Sequence, residues 1–470
     1  MIKYLQVSSS LLLFSLLSLT NKGFAQTEST MYFMNSLPQV TYYNPALKPA
    51  YKMSIGLPGS SVFFQYGNNG FTYNDFISKQ NNVLTADLDK LYGSLKEKNY
   101  LNANTQVDLF RVSLKAGARL YFTFNVSAKS YNRMMVPKDL TGIFIDGTEP
   151  YLNSTATLSP KLESTTYAEI GWGAAYTVNK KLTVGAKLKL LKGAVNATTQ
   201  RATLNLSLSD TYAITATGDL DARTSGIHNF DDSNYEVSDN WRDYTKNNGV
   251  AFDLGATYKV MDRLTIGASL IDIGGITWKN DLYGYQLDPA KARYTFEGID
   301  LHEILNGDGS DYFNSLSDSL EEKFKVTEGR IGKYRTPLPA KIYLSGAYEL
   351  RRYFTVGALL FAEKYRGRFV PGFTASLNKE FGKWLGASLS YTMTNNSFNN
   401  IGAGLSLNLA PLQIYVVGDN LLRAPLTLMK DSNLNAFVNN MHYFNLRAGV
   451  NFVFGRDKVQ ERQPYPKQPR

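Results

Sequence analysis

The amino-acid sequence predicts an all-β protein: a closed antiparallel transmembrane β-barrel of about 14 strands, within a range of roughly 12 to 16. Three observations lead to this prediction. Runs of about ten residues alternate between apolar and polar side chains, as expected of tilted strands that cross a bilayer core. The chain carries 31 Tyr and 26 Phe, although its mean hydropathy is negative. Short polar turns recur between the alternating runs.

The first 26 residues, "MIKYLQVSSSLLLFSLLSLTNKGFAQ", have the pattern of an export signal. Lys3 precedes an apolar stretch over residues 11–19, and small residues Gly23 and Ala25 stand before Gln26. This pattern predicts a secretory signal peptide over residues 1–25. The alternative is an N-terminal membrane anchor, but the apolar stretch is only about half of the roughly 20 residues that a spanning helix needs.

Composition limits the classes of partner and chemistry. The chain has no Cys, so disulfides, thiolate metal sites, a catalytic thiol and a lipid-accepting Cys are all excluded. The formal charge is +10. Export argues against nucleic acid as a partner, whereas an anionic envelope surface is compatible with this charge. No second apolar stretch is long enough to predict a transmembrane helix.

The alternation is clearest in "KLTVGAKLKL" (181–190), where Leu182, Val184 and Leu188 share one face and Thr183 and Lys187 share the other. A period of two over this length predicts a strand with a dry face and a wet face. Similar runs, all predicted as strands, occupy residues 105–116, 118–127, 166–176, 250–259, 263–271, 342–350, 353–362, 369–378, 384–393, 400–409, 411–418 and 444–454.

A sequence unit recurs along the chain as "YTVNKKLTVGAKL" (176–188), "YKVMDRLTIGASL" (258–270), "YELRRYFTVGALL" (348–360) and, more loosely, "LNKEFGKWLGASL" (377–389). Each unit is a polar turn between two alternating runs, which predicts tight hairpins at one end of the barrel. Tyr176, Tyr258 and Tyr348 stand where a strand would leave the lipid, and we expect them in an interfacial aromatic girdle.

Connections at the other end are mostly longer, and 194–249, 273–338 and 419–442 are predicted as loops. This asymmetry is typical of outer-membrane barrels, whose short turns are periplasmic. Two apolar repeats at helical spacing predict short loop helices around Leu84–Leu95 and Phe313–Phe324.

Further short runs at 52–57, 61–66, 199–208 and 211–217 bring the candidate strands to an odd total, whereas bacterial single-chain barrels have even numbers. Either one run is loop, or the N-terminal segment enters the lumen as a plug before the sheet begins. The predicted organisation is therefore a signal peptide (1–25), a plug-like segment (26–50), a barrel (51–455) and a charged, proline-bearing periplasmic tail (456–470).

Charged side chains on the wet faces cannot face hydrocarbon without a cost of several kcal/mol. We therefore expect them to point into the lumen, where they would either line a polar conduit or form a salt-bridged interior that does not conduct. These residues are Arg111, Lys115, Glu169, Lys187, Lys189, Asp253, Glu349 and Arg447.

No motif indicates catalysis, a metal or a cofactor. His228, His302 and His442 are far apart in predicted loops. The sequence contains no nucleophile elbow, HExxH, P-loop or dinucleotide fingerprint. We therefore expect neither an enzyme nor a cofactor protein.

The segment "TYYNPALKPA" (41–50) carries Asn44, Pro45 and Ala46. It resembles the Asn-Pro-Ala element near the mature N-terminus of long-chain fatty-acid transporters and of Bacteroidota outer-membrane proteins of the PorP/SprF and PorV kinds. In those Bacteroidota families a Gly/Asn strand, a Pro turn and a closing Asp-Asn also recur, and "IGAGLSLNLAPLQIYVVGDNLL" (401–422) is similar. Over nearly all of residues 31–455 the chain resembles a Bacteroidota family of unknown function, which implies an outer-membrane barrel and no catalytic residues.

Two functions follow as hypotheses. One is a channel or transporter for a small or amphiphilic solute. The other is a non-conducting scaffold that holds a secretion, gliding or surface-adhesion system through its loops. Both place the chain in the outer membrane, in contact with lipid and lipopolysaccharide, with envelope proteins as further partners. A soluble periplasmic β-protein is the third alternative.

Overall fold

Alternating side chains build long antiparallel strands in the computed structural model, which describes residues 28–80, 83–231, 242–298, 309–365, 368–394, 397–420 and 442–456. Within these residues the strands are β1 (Tyr51–Gly56), β2 (Ser61–Asn68), β3 (Ile77–Gln80), β4 (Val83–Ala86), β5 (Lys98–Ala116), β6 (Leu120–Pro137), β7 (Ser154–Thr157), β8 (Lys161–Thr177), β9 (Leu182–Leu208), β10 (Ile214–Ser225), β11 (Asn247–Lys259), β12 (Leu264–Trp278), β13 (Leu282–Leu287), β14 (Arg293–Phe296), β15 (Thr327–Arg330), β16 (Tyr334–Pro337), β17 (Ala340–Arg351), β18 (Phe354–Tyr365), β19 (Arg368–Phe381), β20 (Leu385–Thr394), β21 (Ser397–Leu409), β22 (Leu412–Asp419) and β23 (Tyr443–Arg456).

Helices are few and short. The α-helices in the described residues are α1 (Tyr73–Phe76), α2 (Leu88–Ser94), α3 (Lys138–Asp146) and α4 (Gly309–Lys323). The 3-10 helices span Thr30–Phe33, Pro38–Tyr42, Glu149–Tyr151, His228–Asp231 and Asp243–Thr245. None of the helices in this part of the chain has the length and apolar character needed to cross a membrane.

The sheet closes on itself. Starting from β5, neighbours pair antiparallel in the order β5, β6, β8, β9, β11, β12, β17, β18, β19, β20, β21, β22 and β23. Both β1 and β2 pair with β23 on one side and with β5 on the other, so together they form one interrupted strand that closes the ring. The prediction of a closed antiparallel barrel with about 14 strands is confirmed: the ring has 14.

The odd strand count has a local explanation. Residues 52–57 and 61–66 belong to the same barrel strand, because Pro58 and Gly59 interrupt its hydrogen-bond ladder without changing its neighbours. Gly59 has a φ of 75°, which a residue with a side chain rarely adopts. The run 199–208 is the end of β9 that extends beyond the ring, and the run 211–217 overlaps the start of its partner there, β10.

Two connections predicted as loops are largely strand. The 27-residue β9 extends beyond the barrel and pairs there with β10, which pairs in turn with β13 and β14, while β13 pairs with β15. The prediction of loops over 194–249 and 273–338 was therefore wrong for these parts. The alternating segment "TLNLSLS" (203–209) forms the end of β9, although this part of the strand extends beyond the barrel and need not face lipid.

The helix predicted from Leu84 begins later. Leu84 lies in β4, and α2 begins at Leu88 because the Asp87 side chain accepts a hydrogen bond from the Lys90 amide at 3.0 Å and caps the first turn. The second helical repeat agrees with α4. The predicted tail lies outside the described residues from 457 onward, whereas Arg456 still pairs with Tyr51. The signal peptide over residues 1–25 also lies outside them.

The outer face of the barrel is apolar. Leu344, Leu389 and Leu405 are 52%, 51% and 51% exposed, although each lies in the middle of a strand. Tyr176, Tyr258 and Tyr348 also point outward, at the ends of their strands next to the short turns. A sandwich would bury such leucines between its sheets, so their exposure all around the ring indicates a lipid-facing surface.

Candidate functional site in the barrel lumen

An N-terminal segment fills much of the lumen. Residues 28–50, called the plug from here on, contain the two 3-10 helices Thr30–Phe33 and Pro38–Tyr42. Met31, Leu37 and Val40 are 0% exposed, in an apolar cluster with inward-facing residues of β12, β17, β18 and β22. A cluster of this kind forms only when the barrel has closed around the segment, because its members are far apart in sequence.

The Asn-Pro-Ala motif lies against the barrel wall near the turn end. The Asn44 Nδ2 donates to the carbonyl oxygens of Ala256 (3.3 Å) and Ala268 (3.4 Å), on β11 and β12. The Asn44 Oδ1 accepts a hydrogen bond from the Ala46 amide at 2.9 Å, which holds the turn around Pro45. The motif therefore attaches the plug to two neighbouring strands.

Glycines of the recurring hairpin unit provide room for the plug. A Cβ on Gly185 would overlap the backbone of Pro45 and Ala46, and a Cβ on Gly357 would come within 2.7 Å of the Phe33 ring. Gly267 and Gly386 hold equivalent positions in their copies of the unit. A Cβ on Gly267 would lie 3.4 Å from the Asn44 Nδ2, and a Cβ on Gly386 would lie 3.5 Å from the Ser36 hydroxyl oxygen. The glycine of every copy of the unit thus faces the plug, which the period-two pattern did not predict.

An ion pair joins the start of the plug to the wall. The Arg447 guanidinium on β23 donates to Glu28, with Nε–Oε1 at 2.5 Å and Nη2–Oε2 at 3.0 Å. The Tyr43 hydroxyl also donates to Glu28. Burial and the adjacent carboxylate raise the pKa of the Tyr43 phenol well above its ordinary value, so this hydroxyl remains a proton donor.

A second charged anchor involves the middle of the plug. The Arg111 Nη2 on β5 donates to the Pro38 carbonyl and to the Thr41 hydroxyl (2.7 Å), and the guanidinium lies 4.5 Å from the centre of the Tyr42 ring. The Tyr42 hydroxyl donates to Asp108 at 2.6 Å. Burial and this carboxylate raise the pKa of Tyr42. Arg111 therefore holds the plug by hydrogen bonds and by its cation–π contact together.

Neutral side chains complete the attachment. Gln39 and Asn451 exchange amide hydrogen bonds of 2.8 and 3.2 Å, and the Gln413 Nε2 donates to the Ser36 carbonyl at 2.9 Å. The Ser36 and Ser406 hydroxyl oxygens are 3.3 Å apart. Each polar group of the plug named here has a partner on the wall, as buried polar groups require.

A network of ion pairs lies on one side of the lumen. Lys189 Nζ is 2.7 Å from Asp253 Oδ2 and 2.6 Å from Asp272 Oδ1. Glu169 lies 2.6 Å from Lys129 and 3.6 Å from Lys187 through its two oxygens. Lys341 extends the network at 3.9 Å from Asp272. We call these seven residues of β6, β8, β9, β11, β12 and β17 the ionic wall.

The structure places the eight predicted wet-face charges in three groups. The ionic wall contains Glu169, Lys187, Lys189 and Asp253, whereas Arg111 and Arg447 bind the plug. Lys115 and Glu349 lie at the turn end of the barrel, on the inward faces of their strands, and both are half-buried. Sequence reasoning missed Lys129, Asp272 and Lys341. Lys129 and Lys341 lie just beyond the ends of the predicted runs, and Asp272, with a φ of 61°, reaches the lumen through a β-bulge in β12.

A cavity of about 430 Å³ lies at the loop end. We call it the vestibule; residues of β2, β5, β6, β8, β9 and β18 and of the segment 335–339 line it. A smaller cavity of about 60 Å³ lies beneath it, and Gln65, Asn104, Tyr131 and Glu363 line both. Glu28 of the plug lines the smaller cavity. The vestibule thus leads down to the top of the plug.

A recess of about 1090 Å³ lies at the turn end. Its lining includes Lys48, where the plug leaves the lumen, and residues of the turns 117–119, 178–181 and 260–263. The plug therefore lies between two aqueous spaces, the vestibule at the loop end and the recess at the turn end.

Comparison with known proteins gives a family and several distant structures. The model of the "Family of unknown function (DUF5723)" matches residues 45–419. No curated protein matches the sequence significantly. Similar solved structures include the toluene transporter TbuX of Ralstonia pickettii (TM-score 0.43, 11% identity, covering 89% of this chain and 94% of that chain). Another is the toluene transporter TodX of P. putida (TM-score 0.41, 11% identity, covering 88% of this chain and 93% of that chain). A third is a FadL homologue of Pseudomonas aeruginosa (TM-score 0.40, 12% identity, covering 89% of this chain and 94% of that chain).

Proposed function

This chain belongs to the family of unknown function DUF5723, and we propose that it is an outer-membrane transport barrel. In this proposal a small solute enters the vestibule from the loop end and leaves at the turn end when the plug shifts. The apolar outer face would contact membrane lipid and lipopolysaccharide. No contact among the described residues favours the scaffold alternative.

One observation carries the proposal: an open cavity at one end of the lumen has the plug beneath it. The vestibule volume of about 430 Å³ lies in the range of roughly 300–1,000 Å³ that small-molecule sites occupy. A barrel stabilised only by its packed interior would need no such cavity above the plug. The vestibule therefore supports solute entry.

The remainder of the route is closed by the plug. Leu37, Val40 and Asn44 are 0% exposed and lie between the vestibule and the turn-end recess. A solute can pass only if these residues move away from the wall. Passage therefore depends on the contacts that attach the plug to the wall. A covalent bond between the plug and the wall should prevent passage and so test the proposal.

A disulfide can supply that lock, because the chain has no native Cys to interfere. The Ser36 and Ser406 hydroxyl oxygens, one on the plug and one on β21, are 3.3 Å apart. Cysteines at both positions are close enough for a disulfide after small adjustments. We expect the oxidised S36C/S406C protein in lipid vesicles to lose solute-driven swelling and to regain it after reduction.

The single variants S36C and S406C are the controls, since each carries one thiol and cannot form the bond. If oxidised and reduced S36C/S406C swell at the same non-zero rate, the plug does not gate passage. If the wild type and the reduced S36C/S406C protein show neither swelling nor conductance with any solute, the transport proposal is wrong.

A further inference from the structure

The chemistry of the vestibule lining indicates a class of solute, and this inference deepens the proposed function. Neutral amides and hydroxyls make up the largest part of the lining: Gln65, Asn102, Asn104, Asn132, Thr165, Asn196, Thr198, Gln200 and Thr336. Such groups both donate and accept hydrogen bonds without carrying charge. A solute that occupies the vestibule must replace the water on them.

One wall presents amides whose hydrogen-bonding capacity is not used by the protein. Gln65 and Asn104 are direct register partners on β2 and β5, and Asn102 lies two residues away on the same face. Within the described residues none of these three side chains has a protein hydrogen bond, in contrast to the amides of the plug. Opposite Asn102 stands Gly67, which leaves space beside its amide.

The facing wall is held in place by its own hydrogen bonds. The Asn196 Nδ2 donates to the Thr165 hydroxyl at 2.9 Å, and the Tyr334 hydroxyl donates to the Asn196 Oδ1 at 2.8 Å. The Gln200 Nε2 donates to the Thr198 hydroxyl at 3.2 Å. These bonds fix the side chains of the facing wall before a solute arrives, which reduces the entropy cost of binding.

Charges in the lining have both signs. Arg133 and Glu163 are register partners on β6 and β8. Glu363 on β18 adds a negative charge, whereas the next residue, Lys364, lies over the Phe369 ring. Arg335 is the remaining charged residue of the lining. A solute of either charge would therefore meet repulsion as well as attraction, so the lining does not select a strong anion or cation.

Apolar surface is also part of the lining. Pro337, Pro339 and the ring of Tyr131 form an apolar patch, whereas Leu338 between the two prolines is 6% exposed and packs into the core. A hydrocarbon would cover this patch but would also leave the amides of Gln65 and Asn104 without water or partner, which weakens its binding. The patch suits a molecule with one apolar face and many hydroxyls.

We propose that the vestibule binds a neutral, hydroxyl-rich solute, of the size of a mono- or disaccharide. The hydroxyls of such a solute would bond to Gln65, Asn102 and Asn104, and a C–H face of its ring would lie against the Tyr131 ring.

The test measures binding and passage separately. Binding of glucose, sucrose and maltose to the purified full chain is measured by equilibrium dialysis, and passage is measured by vesicle swelling with the same sugars. Gluconate serves as the charged probe. We expect at least one sugar to bind and to pass faster than gluconate.

The double variant Q65L/N104L should lower sugar affinity about tenfold, because two hydrogen-bonding groups become apolar. Gln286→Leu is the matched control, since Gln286 is an exposed amide on β13 that does not line the vestibule, and its affinity should equal that of the wild type. Asn102→Ala provides a smaller change should the double variant fail to fold, and it should also lower affinity.

The outcomes separate the two proposals. Passage of gluconate without binding of any sugar overturns the saccharide assignment and leaves transport standing. Sugar binding without passage of any solute supports the assignment and overturns transport. Equal sugar affinity in Q65L/N104L, Asn102→Ala and wild type also overturns the assignment.

Discussion

Lys189 lies at the centre of the ionic wall, between Asp253 and Asp272 at 2.7 and 2.6 Å. Its side chain is 3% exposed, so water cannot replace it as a partner of the two carboxylates. Removing one member of a buried network leaves uncompensated charge, and this costs more than the intact network contributes to stability.

Lys189→Met should therefore lower the free energy of unfolding by about 3–5 kcal/mol. Urea unfolding of the reconstituted barrel, followed by tryptophan fluorescence, measures the change. Lys180→Met is the control, because Lys180 is exposed in a turn and should alter stability by less than about 0.5 kcal/mol. Equal midpoints for the two variants would show that the ionic wall does not contribute to stability.

Gly185 is the residue at which the hairpin unit and the plug meet. A side chain there would overlap the backbone of Pro45 and Ala46, which cannot rotate away as the tip of a flexible side chain could. The small residue is required by the close approach of another chain segment rather than by its own backbone conformation.

Gly185→Val should displace the Asn-Pro-Ala motif while the barrel still forms. A cysteine introduced at Ala46, which is 2% exposed, should become reactive toward a polar maleimide in this background. Gly346→Val is the matched control, since a Cβ on Gly346 meets no atom within 4 Å. Unchanged labelling of A46C in the Gly185→Val protein would contradict the close contact.

At the scale of the element, each barrel strand has one face toward lipid and one toward the lumen. On β21, Leu405 and Leu407 are 51% and 39% exposed, whereas Ser406 between them is 0% exposed and faces the plug. This arrangement follows from the two-residue period, because a shift of register by one residue would exchange the faces.

Leu405→Arg should lower the free energy of unfolding in a bilayer by about 2–4 kcal/mol, since a charge then faces hydrocarbon. Leu409→Arg at the turn end of the same strand should cost only about 0–1 kcal/mol, as expected near the interface. Folding titrations into lipid vesicles measure both. If Leu405→Arg is neutral, this face does not contact lipid, and a soluble β-protein becomes the better interpretation.

At the scale of the whole molecule, closure depends on the last strand. β23 pairs with β22 on one side and with β1 and β2 on the other, so it removes both open edges at once. In a bilayer every backbone amide needs such a partner. A chain without β23 would expose two unpaired strand edges to lipid.

Deletion of residues 443–470 should therefore abolish the closed barrel, whereas deletion of 457–470 should preserve it. The measurement is migration on SDS gels of unheated and boiled samples, because a closed barrel runs faster before boiling. We expect the band shift in the wild type and in the shorter deletion. A shift in the protein that lacks 443–470 would show that closure does not require β23.

The sequence determined the features that depend on neighbouring residues. Alternation of side chains is a local property, and it was sufficient to identify the barrel strands and their outward faces, including those of Tyr176, Tyr258 and Tyr348. The inward direction of Arg111, Glu169 and Lys189 follows from the same period. The single strand made of 51–56 and 61–68 was not recognised, because only its shared neighbours β5 and β23 show that the two halves are one.

The sequence predicted a plug over residues 26–50, but tertiary structure alone decided which side chains hold it in the lumen. The contacts of the plug join residues far apart in the chain, such as Ser36 with Ser406 and Glu28 with Arg447. Closing the ring brings the inward faces of many strands around one short segment, and no local pattern encodes which of their side chains will meet. For the same reason the vestibule amides Gln65 and Asn104 form a candidate site only because β2 and β5 pair, which the sequence does not show.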